Sequence, residues 1–206
     1  MAFTGFTNTD FQVFRIEGLE ERMDALKTHI RPKLEELGQI FSPMLTVETG
    51  DEMYTHVAKH ARRTKNPPND TWVAFANNPR GYKMLPHFQI GLWETHVFIW
   101  FALIYEAPHK EAFGKTLEAN LTKIYEQTPD HFVWSIDHTK PSVVRHGELT
   151  KKELHEMFVR LQKIKKAEIL CGINLPKEEA AKMVPEDFLA TAESVFKKLI
   201  PLYKMI

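Results

Sequence analysis

The sequence predicts an α+β fold, a mainly antiparallel sheet of about five to seven strands with helices packed on it, in a single domain spanning residues 1–206. Three observations predict it. Three strand-like runs, 72–76, 87–92 and 96–105, follow one another across connections too short for helical crossovers, which favours hairpins. Ahead of them Leu19, Met23, Leu26, Ile30, Leu34, Leu37 and Phe41 recur at gaps of three and four, the apolar stripe of a helix. A chain of 206 residues that is 43% apolar and 11% aromatic can bury one sizeable core.

Taken in order, residues 3–16 are aromatic and irregular, with Thr9 and Asp10 as caps for a short helical turn. The helical segment 18–42 contains Pro32, which predicts a kink or two successive helices. Residues 53–63 admit two readings. A helix would stack Glu52, His56 and His60 at intervals of four, a spacing that suits a metal. A strand would put His56, Ala58, His60 and Arg62 on one face. Gly50 breaks the chain before this stretch, and Tyr54, Thr55 and Val57 suit an extended backbone, so the strand is expected and no metal site is assigned.

The stretch 64–70, TKNPPND, reads as a stiff loop, and 77–81 as a turn. In 87–92, Phe88, Ile90 and Leu92 face one side and His87, Gln89 and Gly91 the other. The run 96–105 is apolar on both faces, which makes it central and buried in the meander 53–106. The C-terminal α+β part, 108–206, starts with a helix opened by Pro108 that turns Phe113, Leu117, Leu121 and Ile124 inward. Strands 131–138 and 142–146 are expected to pair. Thr150 and Glu153 form a capping box ahead of a helix with Leu154, Phe158 and Leu161 inward. A strand at 166–173 and a closing helix from Pro185, burying Phe188, Ala192, Val195 and Leu199, complete the chain.

Charge gives the functional clue. The 27 cations and 27 anions cancel, which argues against general nucleic-acid binding. Residues 53–93, however, hold one acid, Asp70, against six permanent cations, Lys59, Arg62, Arg63, Lys65, Arg80 and Lys83. Residues 1–52 invert the balance with ten acids against five bases, so pairing between the two segments is the plain explanation to test. The alternative is an anionic partner, a phosphate- or carboxylate-bearing small molecule on a basic sheet face. In that reading Arg62 and Arg63 act as bidentate clamps, Asn66, Arg80 and Lys83 support them, and His56, His60, Tyr82, His87 and Gln89 complete the ligand-binding set. A protein or RNA partner would use the same cations with Trp72 and Tyr82 as stacking platforms. A concave patch would favour the small ligand and a flat one the macromolecule.

Other chemistry finds little support. No dinucleotide, P-loop, zincin or nucleophile-elbow motif is present, so no catalytic residue, reaction or cofactor is named. Asp137 beside His138, and His146 near Glu148, are given no acid–base role, because adjacent strand residues point to opposite faces. Cys171 is the sole cysteine and sits in an apolar run, a small buried hydrophobe in a reducing compartment. The longest apolar run, 97–105, has nine residues where a membrane span needs roughly 20, and no signal peptide is read at the start. A cytoplasmic protein without membrane association is expected.

The phrases HVAKHARR, NPPNDTWVAFA, RGYKMLPHFQIGLWETH and GLEERMDALKTHIRPKLEELG resemble the YktB-like family of uncharacterised bacterial proteins, over nearly the whole chain. The resemblance implies a cytoplasmic α+β domain whose topology is loosely similar to the catalytic domain of biotin protein ligases. The Gly-Arg-rich adenylate-binding loop of those ligases is not found here, so ligase chemistry does not carry over.

Overall fold

Residues 3–205 are described in the computed structural model. Seven strands form one sheet: β1 (Tyr54–Val57), β2 (Asp70–Ala76), β3 (His87–Trp93), β4 (His96–Leu103), β5 (Val133–Ser135), β6 (Val144–Arg145) and β7 (Ile169–Pro176). Their order is β1-β2-β3-β4-β7-β5-β6, and every pairing is antiparallel. The helices are α1 (Asn8–Gln12), α2 (Leu19–Ala25), α3 (Arg31–Thr49), α4 (Lys110–Ala119), α5 (Leu121–Gln127), α6 (Lys151–Lys163), α7 (Lys177–Ala180) and α8 (Pro185–Tyr203). The α+β fold class is therefore as expected, and β4 lies in the middle of the sheet.

The main core lies between one sheet face and the helices. Val73, Phe75, Phe88, Ile90, Ile99 and Phe101 alternate onto that face and meet Leu34, Leu37 and Phe41 of α3 and Phe196 and Leu199 of α8 in one apolar cluster. Phe75, Phe88 and Phe41 each set a ring 5.4 to 5.9 Å from that of Phe196, all edge to face. On the opposite face a smaller cluster joins Trp93, Phe98, Trp100, Ala102 and Leu170, with Trp72 and Val143 against it.

Several elements depart from expectation for visible reasons. The break near Pro32 is a π-helical turn over Leu26–Ile30, which puts Pro32 in the first turn of α3, where no N–H is required of it. That helix continues past residue 42 to Thr49 with Pro43 inside it. Pro43 is exposed, so the backbone carbonyl it leaves without a helical partner is on the solvated side. The strand expected over 53–63 is only Tyr54–Val57. Ala58 still donates its N–H to Trp72 O at 2.9 Å, but His60 takes a left-handed φ of 51° and ends the pairing. The face on which Ala58, His60 and Arg62 would have joined His56 therefore does not form.

Strand 131–138 shortens to Val133–Ser135, because the Ser135 hydroxyl takes the N–H of Asp137 at 3.3 Å and turns the chain. Its partner shrinks to Val144–Arg145, in the expected pairing. The helix after Pro108 is two helices meeting at Asn120, whose side chain donates to Thr116 O at 2.8 Å. The capping box holds: the Glu153 carboxylate accepts the N–H of Thr150 at 2.8 Å, and the Thr150 hydroxyl accepts that of Glu153 at 3.2 Å.

Candidate functional site

The polar groups gather on the sheet face turned away from the main core. Cross-strand pairing sets Trp72 beside Gly91 and Gly91 beside Phe98, and sets Ala74, Gln89 and Trp100 side by side. Phe98 and Trp100 lie low over the backbone, their rings 4.5 Å apart and inclined by 30°. A Cβ on Gly91 would sit 2.2 Å from the Phe98 ring, and one on Gly172 would sit 2.0 Å from Ile99 O and 2.8 Å from the Trp100 indole. Glycine at these two places lets aromatic rings lie against the strands.

Tyr82 is the hub of the β1–β3 end. Gly81, at a φ of 71°, turns the chain into a short 3-10 helix, Tyr82–Met84, that carries the phenol onto this face. Its hydroxyl accepts from Trp72 Nε1 at 2.9 Å, while its ring stacks on His56 at 5.0 Å and meets His87 edge-on at 5.1 Å. His56 Nε2 donates to Asn78 O at 2.9 Å. His87 is fully buried, and its Nδ1 donates to Leu85 O at 2.7 Å, so that nitrogen carries the proton. Nε2 then accepts from Gln89 Nε2 at 3.0 Å. Burial holds His87 at about 4, against 6.5 for a free imidazole, so it is neutral near pH 7. Burial, with the nearby charge of Arg63, likewise lowers His60 to about 4, and burial raises Tyr82 to about 12.

Asp70, to which the sequence reading gave no role, opens β2 on the same face. Burial raises its carboxyl from 3.8 to about 6, opposed by the charges of His138, Arg63 and Lys83. His138 also acts on His87, so the β5–β6 connection is within electrostatic reach of the site. His138 Nδ1 donates to both Glu168 oxygens at 2.8 Å, and Glu168 is only 4% exposed. The sequence reading weighed His138 only against its neighbour Asp137 and missed this partner. The available signal was an acid, Glu168, standing directly ahead of the apolar run Ile169–Pro176.

The expected site residues thus divide. His56, Tyr82, His87 and Gln89 form one stacked and hydrogen-bonded cluster, which His60 approaches edge-on through Trp72 at 5.5 Å. Arg62, Arg63 and Asn66 stay exposed in the 58–69 loop and Arg80 in the 77–81 turn. Lys83 reaches Glu106 at 3.9 Å. Among the described residues Lys59, Arg62, Arg63, Lys65 and Arg80 have no carboxylate within 4.0 Å. Of the tempting polar pairs, His146 is structural: Trp134 Nε1 donates to its Nδ1 at 3.0 Å, and its Nε2 donates to Tyr125 O at 2.9 Å. Cys171 is buried and its thiol pushed far up by that burial. His56 and His60 turn to separate partners, Asn78 and Thr71, and among the described residues no three His, Cys, Asp or Glu side chains converge as a metal set.

Residues 6–203 match a family described as a domain of unknown function, DUF1054. The chain belongs to the DUF1054 family. It is 56% identical over 200 residues to a UPF0637 protein of Bacillus velezensis, covering 97% of this chain and 95% of that protein. A UPF0637 protein of Bacillus licheniformis is 56% identical over 205 residues, 100% of this chain and 97% of its own. One of Bacillus cytotoxicus is 54% identical over 205 residues, 100% and 99% of the two chains. These relatives bear out the resemblance to an uncharacterised bacterial family. No helix among the described residues of this DUF1054 protein is long and apolar enough to cross a membrane.

Proposed function

We propose that the protein binds a small molecule bearing phosphate or carboxylate over the polar sheet face at its β1–β3 end. One observation carries the reading: four cations of the β1–β2 connection, Lys59, Arg62, Arg63 and Lys65, and Arg80 at the other end of β2, lack carboxylate partners among the described residues. The acids of the N-terminal helices do not supply them: among the described residues none lies within 4.0 Å of these cations, and Asp10 and Asp24 pair instead with Lys33 at 2.6 Å and Lys27 at 3.3 Å. The like charges of the β1–β2 connection, without counter-ions, attract an anion, and the forks of Arg62 and Arg63 suit an oxyanion's geometry. His60 and His87 are held neutral by burial and so add no charge of their own to that of the cations. The RNA reading asks Trp72 and Tyr82 to stack on bases, but their hydrogen bond and the seat of Tyr82 against His56 and His87 already occupy them. No reaction or cofactor is assigned. The single cysteine, buried, fits a reducing compartment, and we place the protein in the cytoplasm.

A thermal-shift screen of phosphates, nucleotides and carboxylates tests the reading. The expected result is stabilisation of the wild type by about 2.7 kcal/mol at ~100 times the dissociation constant. Arg62→Ala should abolish it while changing unliganded stability by no more than about 0.5 kcal/mol, and Arg62→Lys should weaken it. No stabilisation of the wild type by any anion, or a loss of several kcal/mol in unliganded Arg62→Ala, would sink the site.

A further inference from the structure

A cleft of about 660 Å³ opens beside the β5–β6 connection, lined by Tyr105, Ile136, Lys140, Arg160, Lys166 and Glu168 among others. Its carboxylates are already satisfied. Asp137 accepts from the N–H and hydroxyl of Thr139 at 3.0 and 2.6 Å and from Lys140 at 3.1 Å, which together hold it at about 2. Glu168 accepts from the backbone and side chain of His138 and, at 3.4 Å, from the N–H of Tyr105. The carbonyls of Ile164 and Ala167 receive Lys110 Nζ at 2.5 and 3.2 Å.

Arg160 is left out of this accounting. Its Nη1 is buried with no acceptor, and neither Arg160 nor Lys166 has an ion-pair partner among the described residues. A guanidinium does not lose its proton in proteins, so a buried N–H without an acceptor keeps its full desolvation penalty until an acceptor arrives. The walls beside it are apolar and open: Tyr105 is 44% and Ile136 39% exposed. The volume lies within the range of small-molecule sites and exceeds what a bare phosphate fills.

We propose that this cleft is a second binding site, separate from the sheet-face site, for a small organic oxyanion whose phosphate or carboxylate head meets Arg160 and Lys166 and whose apolar body lies on Tyr105 and Ile136. Arginine supplies the bidentate contact and lysine a second positive charge. The satisfied carboxylates beside them hold the connection in shape without taking the head group's place.

The test titrates the full chain with phenyl phosphate, followed by calorimetry and by NMR shifts of Tyr105 and Ile136, with inorganic phosphate and benzoate in parallel. The expected result is saturable binding that moves both resonances and weakens about tenfold or more in Arg160→Gln. Lys166→Ala, at an exposed position, should weaken it several-fold, and it answers the question if Arg160→Gln fails to fold. Arg62→Ala should leave these shifts intact, which separates this cleft from the sheet-face site. Unmoved Tyr105 and Ile136 resonances with all three probes, or unchanged affinity in the folded Arg160 and Lys166 variants, would overturn the site. Inorganic phosphate binding as tightly as phenyl phosphate would overturn the role given to the apolar walls.

Discussion

His138 and Glu168 meet twice: the imidazole Nδ1 and the backbone N–H of His138 both donate to the Glu168 carboxylate, at 2.8 and 2.9 Å. This pins the β5–β6 connection to the residue that leads into β7. Glu168→Gln would place an amide NH₂ among donors that face an acceptor. We expect a loss of about 2–3 kcal/mol in urea denaturation, because a charge-assisted bond is lost and a buried donor is stranded. In a double-mutant cycle with His138→Ala the two changes should couple by about 1–2 kcal/mol, and additivity would show that the contact contributes nothing.

A second prediction concerns the rings that lie on the strands. A Cβ on Gly172 would come 2.0 Å from Ile99 O, a backbone atom of β4 that cannot swing aside. Gly172→Ala should therefore force β4 and β7 apart and cost about 3 kcal/mol, at the upper end of overpacking changes. Gly91→Ala meets the Phe98 ring at 2.2 Å and Thr71 O at 2.6 Å, and it should behave alike. Thermal denaturation of the two variants checks this; melting points within a degree or two of wild type would mean that the sheet yields more easily than its packing implies.

Much of this fold was legible because its signals are local. The alternation of Phe88, Ile90 and Leu92 and the two-sided apolar run of β4 need no partner to be read, and both became strands in the expected places. What was missed depends on distant groups. The strand through residues 58–63 fails at His60, whose ring turns to the Thr71 hydroxyl at 3.2 Å and to Trp72, a contact that exists only once β2 is in place. The helical segment was expected to end at residue 42, and its run on to Thr49 past Pro43 depends on that proline facing solvent, which the sequence does not say. For the site, the charge imbalance over 53–93 was visible at once. The Glu168 partner of His138 and the unsatisfied Arg160 were not, since each is defined by a neighbour on another element.

Stability should also depend on pH with a definite sign. Burial holds His60, His87 and His96 at about 4, below the 6.5 of a free imidazole. Each contributes stability that is present above pH 6.5 and is lost as the pH falls through about 4, because the unfolded chain takes up protons that the folded one refuses. Asp70, raised from 3.8 to about 6, works the other way: its contribution is present below pH 3.8 and lost as the pH rises through about 6. These three histidines, and His56, which burial also lowers, outnumber Asp70 and predict a net loss on acidification from pH 6.5 to 4, each proton worth about 1.4 kcal/mol per pH unit at full effect. Urea midpoints across this range should fall more steeply in Asp70→Asn and less steeply in His87→Gln. Parallel curves for wild type and both variants would mean that these groups titrate alike in the folded and unfolded chain.

The last prediction separates the two kinds of partner through Tyr82. In Tyr82→Phe the ring keeps its contacts with His56 and His87, but Trp72 Nε1 loses the acceptor it has at 2.9 Å. Trp72 is half-buried, so water can replace part of that bond and the loss should be about 1 kcal/mol, within the net value of an ordinary hydrogen bond. Tyr82→Ala removes the ring itself and should cost about 2–4 kcal/mol, because the side chains of His56, Trp72 and His87 lose a shared surface. If the cationic connections serve a small anion, neither variant should change binding of a single-stranded RNA oligomer, because the wild type should bind it only weakly and less as salt rises. An RNA surface predicts the reverse: tight wild-type binding, nearly intact in Tyr82→Phe and weakened by about 1–3 kcal/mol in Tyr82→Ala as one stacked base is lost. Fluorescence anisotropy of a labelled oligomer at two salt concentrations distinguishes these outcomes. Phosphate-induced stabilisation retained in Tyr82→Phe and lost in Arg62→Ala would place the anion on the arginines and leave the aromatic cluster as their support.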